Sequence, residues 1–190
     1  MSVPVVVSEA QVPLPRRAAF AAVGRCALAS VGLLAHRRVH VPRPRDGRVV
    51  RFADGTAGRV YRETTLDRPP AAQPCALVVR FRLRYVRGAG HRLFEWESVL
   101  NTPMFVGFRG FVSKLWVAHD ERGAYRGIYE WDGERAAHDY ARALWQVLAL
   151  VSEPGSIDYR VLPGVHRDDL IAAPASAAGR TPQWWQPVAA

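Results

Sequence analysis

"FVSKLWVAHDERGAYRGIYEWDGERAAHDY", residues 111–140, contains two runs in which side chains of different character alternate. Alternation with a period of two is typical of a β-strand. The segment between the runs, DERGAY, contains a glycine and has the length of a hairpin loop. The second run leads directly into a segment with helical periodicity. The stretch therefore predicts a β-hairpin followed by a helix.

The segments on either side extend this pattern to six elements. Before the hairpin, residues 76–86 (ALVVRFRLRYV) alternate strictly, and residues 91–101 (HRLFEWESVLN) carry one apolar stripe. After it, residues 133–152 have the clearest helical pattern in the chain, and residues 157–164 alternate again. The order β-α-β-β-α-β predicts a ferredoxin-like α+β sandwich, with one antiparallel sheet and two helices on one face.

Composition divides the chain into three parts. Residues 1–73 form an N-terminal extension, in which we predict a loose segment, an alanine-rich helix, a β-hairpin and a linker. Residues 74–171 form the ferredoxin-like domain, and residues 172–190 form a loose C-terminal tail. Within that tail, Trp184 and Trp185 are the side chains suited to docking on the domain.

The two faces of the predicted sheet differ in character. On one face the four strands are apolar or aromatic, which suits packing against helices. The opposite face is mixed, and on the hairpin it carries Lys114, Trp116, Arg126 and Glu130. A mixed face with long cationic side chains suits contact with a second sheet. We therefore predict a homodimer in which two such faces pair and close a dimeric α/β barrel.

Composition argues against a nucleic-acid partner and a membrane span. The net charge is +9, but the 26 cations are scattered and include a single lysine, Lys114, which indicates codon bias rather than selection for a polyanion. Cys26 and Cys75 form no metal or disulfide motif, so we predict a cytoplasmic location. Arg25 interrupts the apolar segment 18–35, so we predict no membrane span. No cofactor fingerprint is present, and we predict no cofactor.

Residues 103–144 resemble the YdhR-type monooxygenase family, in the superfamily of dimeric α/β barrels related to antibiotic-biosynthesis monooxygenases. The shared features are F-x-G-F at 108–111, K-x-W at 114–116, G-I-Y-x-[FW] at 127–131 and A-x-x-Y at 137–140. The flanking strand, helix and last strand extend the resemblance to residues 76–164, and residues 1–73 are not covered. These motifs are structural signatures rather than a catalytic set.

The resemblance implies a homodimer with a ligand cavity between helices and sheet in each subunit. Several members of the superfamily oxidise aromatic or polyketide substrates with dioxygen and without a metal or flavin. Others degrade haem, isomerise lactones or cyclise polyketides. Membership therefore implies a small-molecule pocket but no particular reaction.

A cofactor-free oxygenase needs a base that deprotonates its substrate and donors that hold the resulting anion. Residues of suitable type are predicted on the helix-facing side of the sheet and on the first helix. The candidate catalytic residues are His91, Glu97, Asn101 and Tyr129, and the candidate substrate-binding residues are Tyr85, Trp96, Ser113, His119, Trp131 and Tyr159. Simpler explanations stand beside these roles, because aromatic residues on alternate strand positions are commonly core, and His119 is placed at an exposed strand end.

The leading hypothesis is a small-molecule enzyme, in the form of a cofactor-independent monooxygenase acting on an aromatic or polyketide-like substrate. One alternative is a non-redox polyketide cyclase or isomerase that uses the same pocket. The other is a non-catalytic ligand-binding protein of the same fold.

Overall fold

The computed structural model describes residues 12–43, 45–86, 88, 90, 94–96, 98–172 and 183–189. Its elements, in chain order, are α1 (Arg16–Ala35), β1 (Val39–His40), β2 (Val49–Phe52), β3 (Ala57–Leu66), β4 (Pro74–Arg82), a 3-10 helix (Ser98–Met104), β5 (Phe111–Val117), β6 (Ala124–Asp132), α2 (Glu134–Val151), β7 (Asp158–Pro163), α3 (Arg167–Ala172) and β8 (Pro187–Ala189).

The strands form one antiparallel sheet in the order β7-β4-β6-β5-β3-β2-β8, with β1 beside β3. An antiparallel sheet covered by helices confirms the predicted α+β class. The predicted hairpin is formed by β5 and β6, and α2 follows it as the sequence pattern indicates. The apolar stripe of α2 buries Ala137, Tyr140, Ala141 and Leu148 against the sheet.

The N-terminal extension continues the sheet of the predicted domain. β3 pairs with β5, with Thr64 opposite Lys114, and β2 pairs with β3. Near the C-terminus, β8 pairs with β2, so the described part of the predicted loose tail is tied to the extension. The division of the chain into three parts stays a prediction.

Segments of the same chain cover the second face of the sheet. Ile128, Leu115 and Val78 on this face pack against the β2–β3 hairpin and α3, with Trp184 and Trp185 at the edge. The prediction that a partner subunit covers this face is therefore wrong. Polar residues on this face also have partners within the chain.

Two of the residues predicted to face a partner subunit contact side chains of the same chain instead, Arg126 in largely buried ion pairs and Glu130 beside a half-exposed histidine. Arg126 donates to Asp120 at 2.6 Å and to Asp54 at 2.9 Å. Glu130 contacts the imidazole of His166 at 3.1 Å. These partners satisfy the charges of the second face without another subunit.

A β-bulge in β5 moves the other two residues to the opposite face. Phe111 lies opposite Trp131, whereas Ser113 lies opposite Glu130, so the register shifts by one residue between them. Because side chains alternate along a strand, one inserted residue reverses the faces of all that follow. Lys114 is therefore placed opposite Tyr129 on the helix-facing side. The prediction that Lys114 and Trp116 face a partner is wrong for this reason.

α1 is, within the described part of the chain, the one helix long and apolar enough by length and composition to cross a membrane. In this structure it packs against α2 and the 3-10 helix. Ser30 donates a hydrogen bond to the carbonyl oxygen of Pro103 at 2.8 Å. At Gly107, an added Cβ would lie 2.2 Å from the carbonyl oxygen of Cys26, so only glycine permits this approach. Only 22% of the apolar window of α1 is buried and side chains such as Leu28 and Val31 are exposed, so the absence of a membrane span stays a prediction.

Candidate active site

A cavity of about 680 Å³ lies between the helix-facing side of the sheet and the helices. It is bounded by β3, β4, β5 and β6 below and by α2 and the 3-10 helix above. Most of its wall is apolar. The aromatic part of the wall consists of Tyr61, Phe81, Phe94, Phe105, Trp116, Tyr125, Tyr129 and Tyr140, and the aliphatic part includes Leu83, Leu100, Met104, Leu144, Val147 and Leu148.

Gly127 helps to keep this space open. It lies on β6 opposite Trp116, and an added Cβ would lie 2.6 Å from Cε2 of Tyr129. The absence of a side chain at Gly127 lets the Tyr129 ring lie back over the strand. Any larger residue would push that ring from its position.

Lys114 projects from β5 into this apolar environment. The residue is only 6% exposed. Its Nζ lies 3.0 Å from the centroid of the Trp116 ring, 4.6 Å from that of Phe105 and 4.9 Å from that of Tyr129. Its amine is thus surrounded by aromatic faces that also line the cavity.

No carboxylate among the described residues pairs with Lys114, and the nearest charge that acts on it is the cation Arg62. Burial, and secondarily Arg62, hold the pKa of Lys114 well below its usual value of 10.5. Burying an ammonium ion costs several kcal/mol, whereas contact with a desolvated aromatic face contributes only about 2 kcal/mol. Burial therefore favours the neutral form of this amine more than that of an exposed lysine.

Arg62 places a positive charge next to the same indole. Its guanidinium carbon lies 4.6 Å from the Trp116 centroid, and Nη2 donates to the hydroxyls of Thr102 and Thr64. A guanidinium stays protonated in proteins, so burial does not discharge it. The Trp116 indole N–H donates to Thr64 at 3.1 Å, which helps to hold the ring in place. Of these two buried bases, Lys114 is the one that can lose its proton.

Three of the tyrosines that line the cavity, Tyr61, Tyr129 and Tyr140, have buried hydroxyl groups. Tyr140 donates to the hydroxyl oxygen of Tyr129 at 3.2 Å, which leaves the hydrogen of Tyr129 available to another acceptor. Burial raises the pKa of both residues above the usual value for a phenol. Burial also raises the pKa of Tyr61 to about 12. At neutral pH all three are hydrogen-bond donors rather than anions.

The cavity includes three of the residues predicted from the sequence. Tyr129 is buried in its wall, and Asn101 reaches it from the 3-10 helix. Tyr85 lies at its rim and is 93% exposed, because the chain leaves β4 at Arg82 and Tyr85 adopts a positive φ beyond the strand. The other two candidate catalytic residues, His91 and Glu97, lie outside the described residues.

The remaining predicted residues do not line the cavity. Trp96 is 72% exposed, and Ser113 lies on the opposite face of the sheet because of the bulge in β5. His119 lies beyond the end of β5, beside Tyr125, with the ring centroids 5.5 Å apart.

Trp131 and Tyr159 belong to the packed core. Trp131 is enclosed by Phe111 and Tyr140, with ring centroids 5.6 and 4.8 Å away. Tyr159 packs at its edge against Trp145 on α2, 6.2 Å between centroids. Both lie further along the sheet than the cavity, where α2 approaches closely enough to fill the space.

Sequence reasoning missed the most distinctive group of the site. The signal for Lys114 was present, because it is the single lysine in a chain that otherwise uses arginine. Arginine cannot replace a base that must lose its proton. The alternation of β5 nevertheless predicted Lys114 on the wrong face of the sheet. Within the described ranges, no group of three or more His, Cys, Asp or Glu residues is arranged to hold a metal ion.

Comparisons with solved structures find distant likeness in fold. No protein-family model matches the chain, and a search of curated proteins finds no match. Among solved structures, the chain is similar to an uncharacterized ferredoxin-fold protein related to antibiotic biosynthesis monooxygenases from Listeria monocytogenes. The identity is 15% and the TM-score 0.41, and the match covers 57% of this chain and 64% of that chain. The chain thus spans less than two thirds of this neighbour, and the YdhR-type family stays a prediction.

Proposed function

We propose that the protein is a small-molecule enzyme that binds an aromatic or polyketide-like substrate in the cavity and transfers a proton from it to Lys114. The observation that carries this proposal is the amine of Lys114, which is buried in an apolar cavity and has no carboxylate partner among the described residues. A buried, neutral base in a pocket is a common mark of a functional site.

The size and wall of the cavity fit a ligand with fused or linked rings. A volume of about 680 Å³ falls within the range of small-molecule pockets, roughly 300–1,000 Å³. Aromatic walls favour stacking with flat rings. A bound ring system would displace water from these walls, which would strengthen electrostatic interactions with the buried groups.

Proton transfer would convert two neutral groups into an ion pair. The acidic O–H or C–H of the substrate loses a proton, and the Lys114 amine becomes an ammonium ion. The new anion and cation attract each other strongly in a low-dielectric site. The ring faces of Trp116 and Phe105 stabilise the ammonium ion further. Tyr129 is the donor suited to the anionic oxygen.

The same first step serves both enzyme hypotheses drawn from the sequence. In the cofactor-independent monooxygenase, implied by the sequence resemblance, the anion transfers electrons to dioxygen. One oxygen atom forms a carbonyl at a ring C–H carbon, and the other leaves as water with the hydrogens of that C–H and of the substrate O–H. In a cyclase or isomerase, the anion attacks another part of the substrate or is reprotonated elsewhere. We propose the monooxygenase first, because the sequence resemblance implies it and the aromatic walls favour stacking with the flat ring of such a substrate.

Two further expectations remain part of this proposal. A homodimer would have to use a surface other than the covered second face of the sheet. The cytoplasmic location rests on two buried cysteines that form no disulfide with each other.

The test uses 1-naphthol as the first probe in a series of electron-rich phenols. Binding is measured by quenching of tryptophan fluorescence, and turnover by oxygen uptake and by ¹⁸O from ¹⁸O₂ in the naphthoquinone formed. We expect saturable binding to the wild type and to Lys114→Met, with turnover lost in the variant. Arg135→Met, on the exposed face of α2, is the matched control. Equal turnover in Lys114→Met would overturn the role of the amine, and product formation without O₂ would favour the non-redox alternative.

A further inference from the structure

We propose that Lys114 captures a carbonyl group, so that the cavity accepts a ketone or aldehyde as an imine. This inference rests on the proposed function, since it requires that a small molecule bind in the cavity. It narrows the substrate class to carbonyl compounds, whose adjacent C–H groups become more acidic once the imine forms.

The step is balanced without an oxidant or a reductant. The nitrogen lone pair of Lys114 attacks the carbonyl carbon, and the C–O π bond breaks to give a carbinolamine. The carbinolamine then loses its hydroxyl group, and the two amine hydrogens leave with that oxygen as water. A C=N bond remains between ligand and protein.

The position of Lys114 leaves its lone pair free for this reaction. Within the described part of the chain, no hydrogen bond or ion pair engages the amine, which lies against the rings of Trp116, Phe105 and Tyr129. The buried guanidinium of Arg62 lies against the same indole and opposes a second positive charge. A lysine that is desolvated beside another cation is the arrangement that activates an amine as a nucleophile.

A purely structural role explains this arrangement less well. Lys114 and Arg62 lie against one indole and have no acidic partner among the described residues. If both were charged they would repel each other, and both lose hydration. Hydrophobic residues commonly replace such buried charges at no cost in stability. Tyr129 lies directly opposite Lys114 across the β5–β6 ladder, and its hydroxyl hydrogen is not used by Tyr140. It is therefore the positioned donor for the departing hydroxyl group.

The single lysine makes the test direct. The folded wild-type chain is incubated with 1-naphthaldehyde and sodium cyanoborohydride, which reduces an imine to a stable amine, and the label is located by peptide mass spectrometry. Peptide mapping separates Lys114 from the α-amino group. We expect one naphthylmethyl group on Lys114 and none at this position in Lys114→Arg.

An exposed lysine in the same chain supplies the reference rate. Arg135 is 96% exposed on α2, and Arg135→Lys places an ordinary amine there. At neutral pH an ordinary lysine is almost entirely protonated, so we expect Lys114 to be labelled at least about tenfold faster than the amine introduced at position 135. In urea the two rates should become equal, because the unfolded chain removes the environment of the cavity.

The outcomes separate the two proposals. Labelling of Lys114 no faster than that of position 135, in a chain that binds 1-naphthol saturably, overturns the carbonyl inference and leaves the proposed function in place. A chain that binds neither 1-naphthol nor 1-naphthaldehyde overturns both. The comparison is made within one folded protein, so it does not depend on whether Lys114→Arg folds.

Discussion

Replacing Lys114 by methionine should stabilise the protein while removing its reactive group. Methionine is unbranched and of similar volume, so it can occupy the same space among the rings of Trp116, Phe105 and Tyr129. A buried amine without a hydrogen-bond partner costs about 1–3 kcal/mol. Removing this cost should raise the free energy of unfolding of Lys114→Met by about 1–3 kcal/mol at any pH where the buried amine is neutral, and the pH-dependent part of the gain adds to this.

The pH dependence of this gain follows from proton linkage. Burial holds the folded-state pKa of Lys114 well below 10.5, whereas the unfolded chain takes up a proton up to its ordinary pKa. Between these two values the unfolded state binds more protons, so wild-type stability rises with pH by up to about 1.4 kcal/mol per unit. Lys114→Met lacks this effect. Its advantage should shrink as the pH rises from 8 to 9.5, by up to about 2 kcal/mol.

The measurement is urea unfolding followed by tryptophan fluorescence at pH 8, 9 and 9.5. Groups facing the amine are Arg62 and Tyr61 on β3, Tyr129 on β6 and Tyr140 on α2, and they are present in both proteins. Their own titration therefore largely cancels in the difference. A difference that is independent of pH, or a variant less stable than the wild type at pH 8, would refute the conclusion that the amine is buried and neutral.

Three further substitutions test the fold around the cavity. Gly127→Ala should displace the ring of Tyr129, lower the free energy of unfolding by about 1–3 kcal/mol and weaken 1-naphthol binding, measured by urea unfolding and fluorescence titration. Asp120→Asn should lower it by about 2–3 kcal/mol, because Arg126 loses its closest buried partner while Asp54 remains, measured by thermal unfolding. Trp184→Ala should lower it by about 1–2 kcal/mol, because the half-buried indole covers part of the second face, measured by urea unfolding.

Controls and contrary outcomes are specific to each substitution. The control for Gly127→Ala is Gly123→Ala, in the β5–β6 loop, where open space surrounds the glycine and the substitution costs only the strain of a positive φ. If Gly123→Ala weakens 1-naphthol binding as much as Gly127→Ala does, Gly127 does not shape the cavity. Asp139→Asn removes an exposed carboxylate on α2, and an equal loss there would contradict the importance of the buried pair. Retained stability in Trp184→Ala would show that the C-terminal segment does not secure the second face.

The order of elements could be predicted from local patterns because each pattern lies within one segment. The alternation of residues 124–132 and the apolar stripe of residues 134–151 each depend on neighbours a few positions apart, so β6 and α2 were recognisable. Tyr129 was assigned to the helix-facing side for the same reason. The faces predicted for Ser113 and Lys114 were wrong because of one bulge near Val112. A register shift depends on how β5 pairs with β6, which local alternation does not show.

By itself, the sequence determined the α+β class, the hairpin that starts at Phe111, and the presence of one lysine among many arginines. Those features follow from residue type and spacing along the chain. Tertiary structure decided that β3 pairs with β5, that the chain covers its own second face, and that Lys114 lies in an apolar cavity beside Arg62. These outcomes depend on contacts between residues tens of positions apart. The chemistry of Lys114 arises from its surroundings, because burial and a neighbouring cation change the affinity of an amine for its proton.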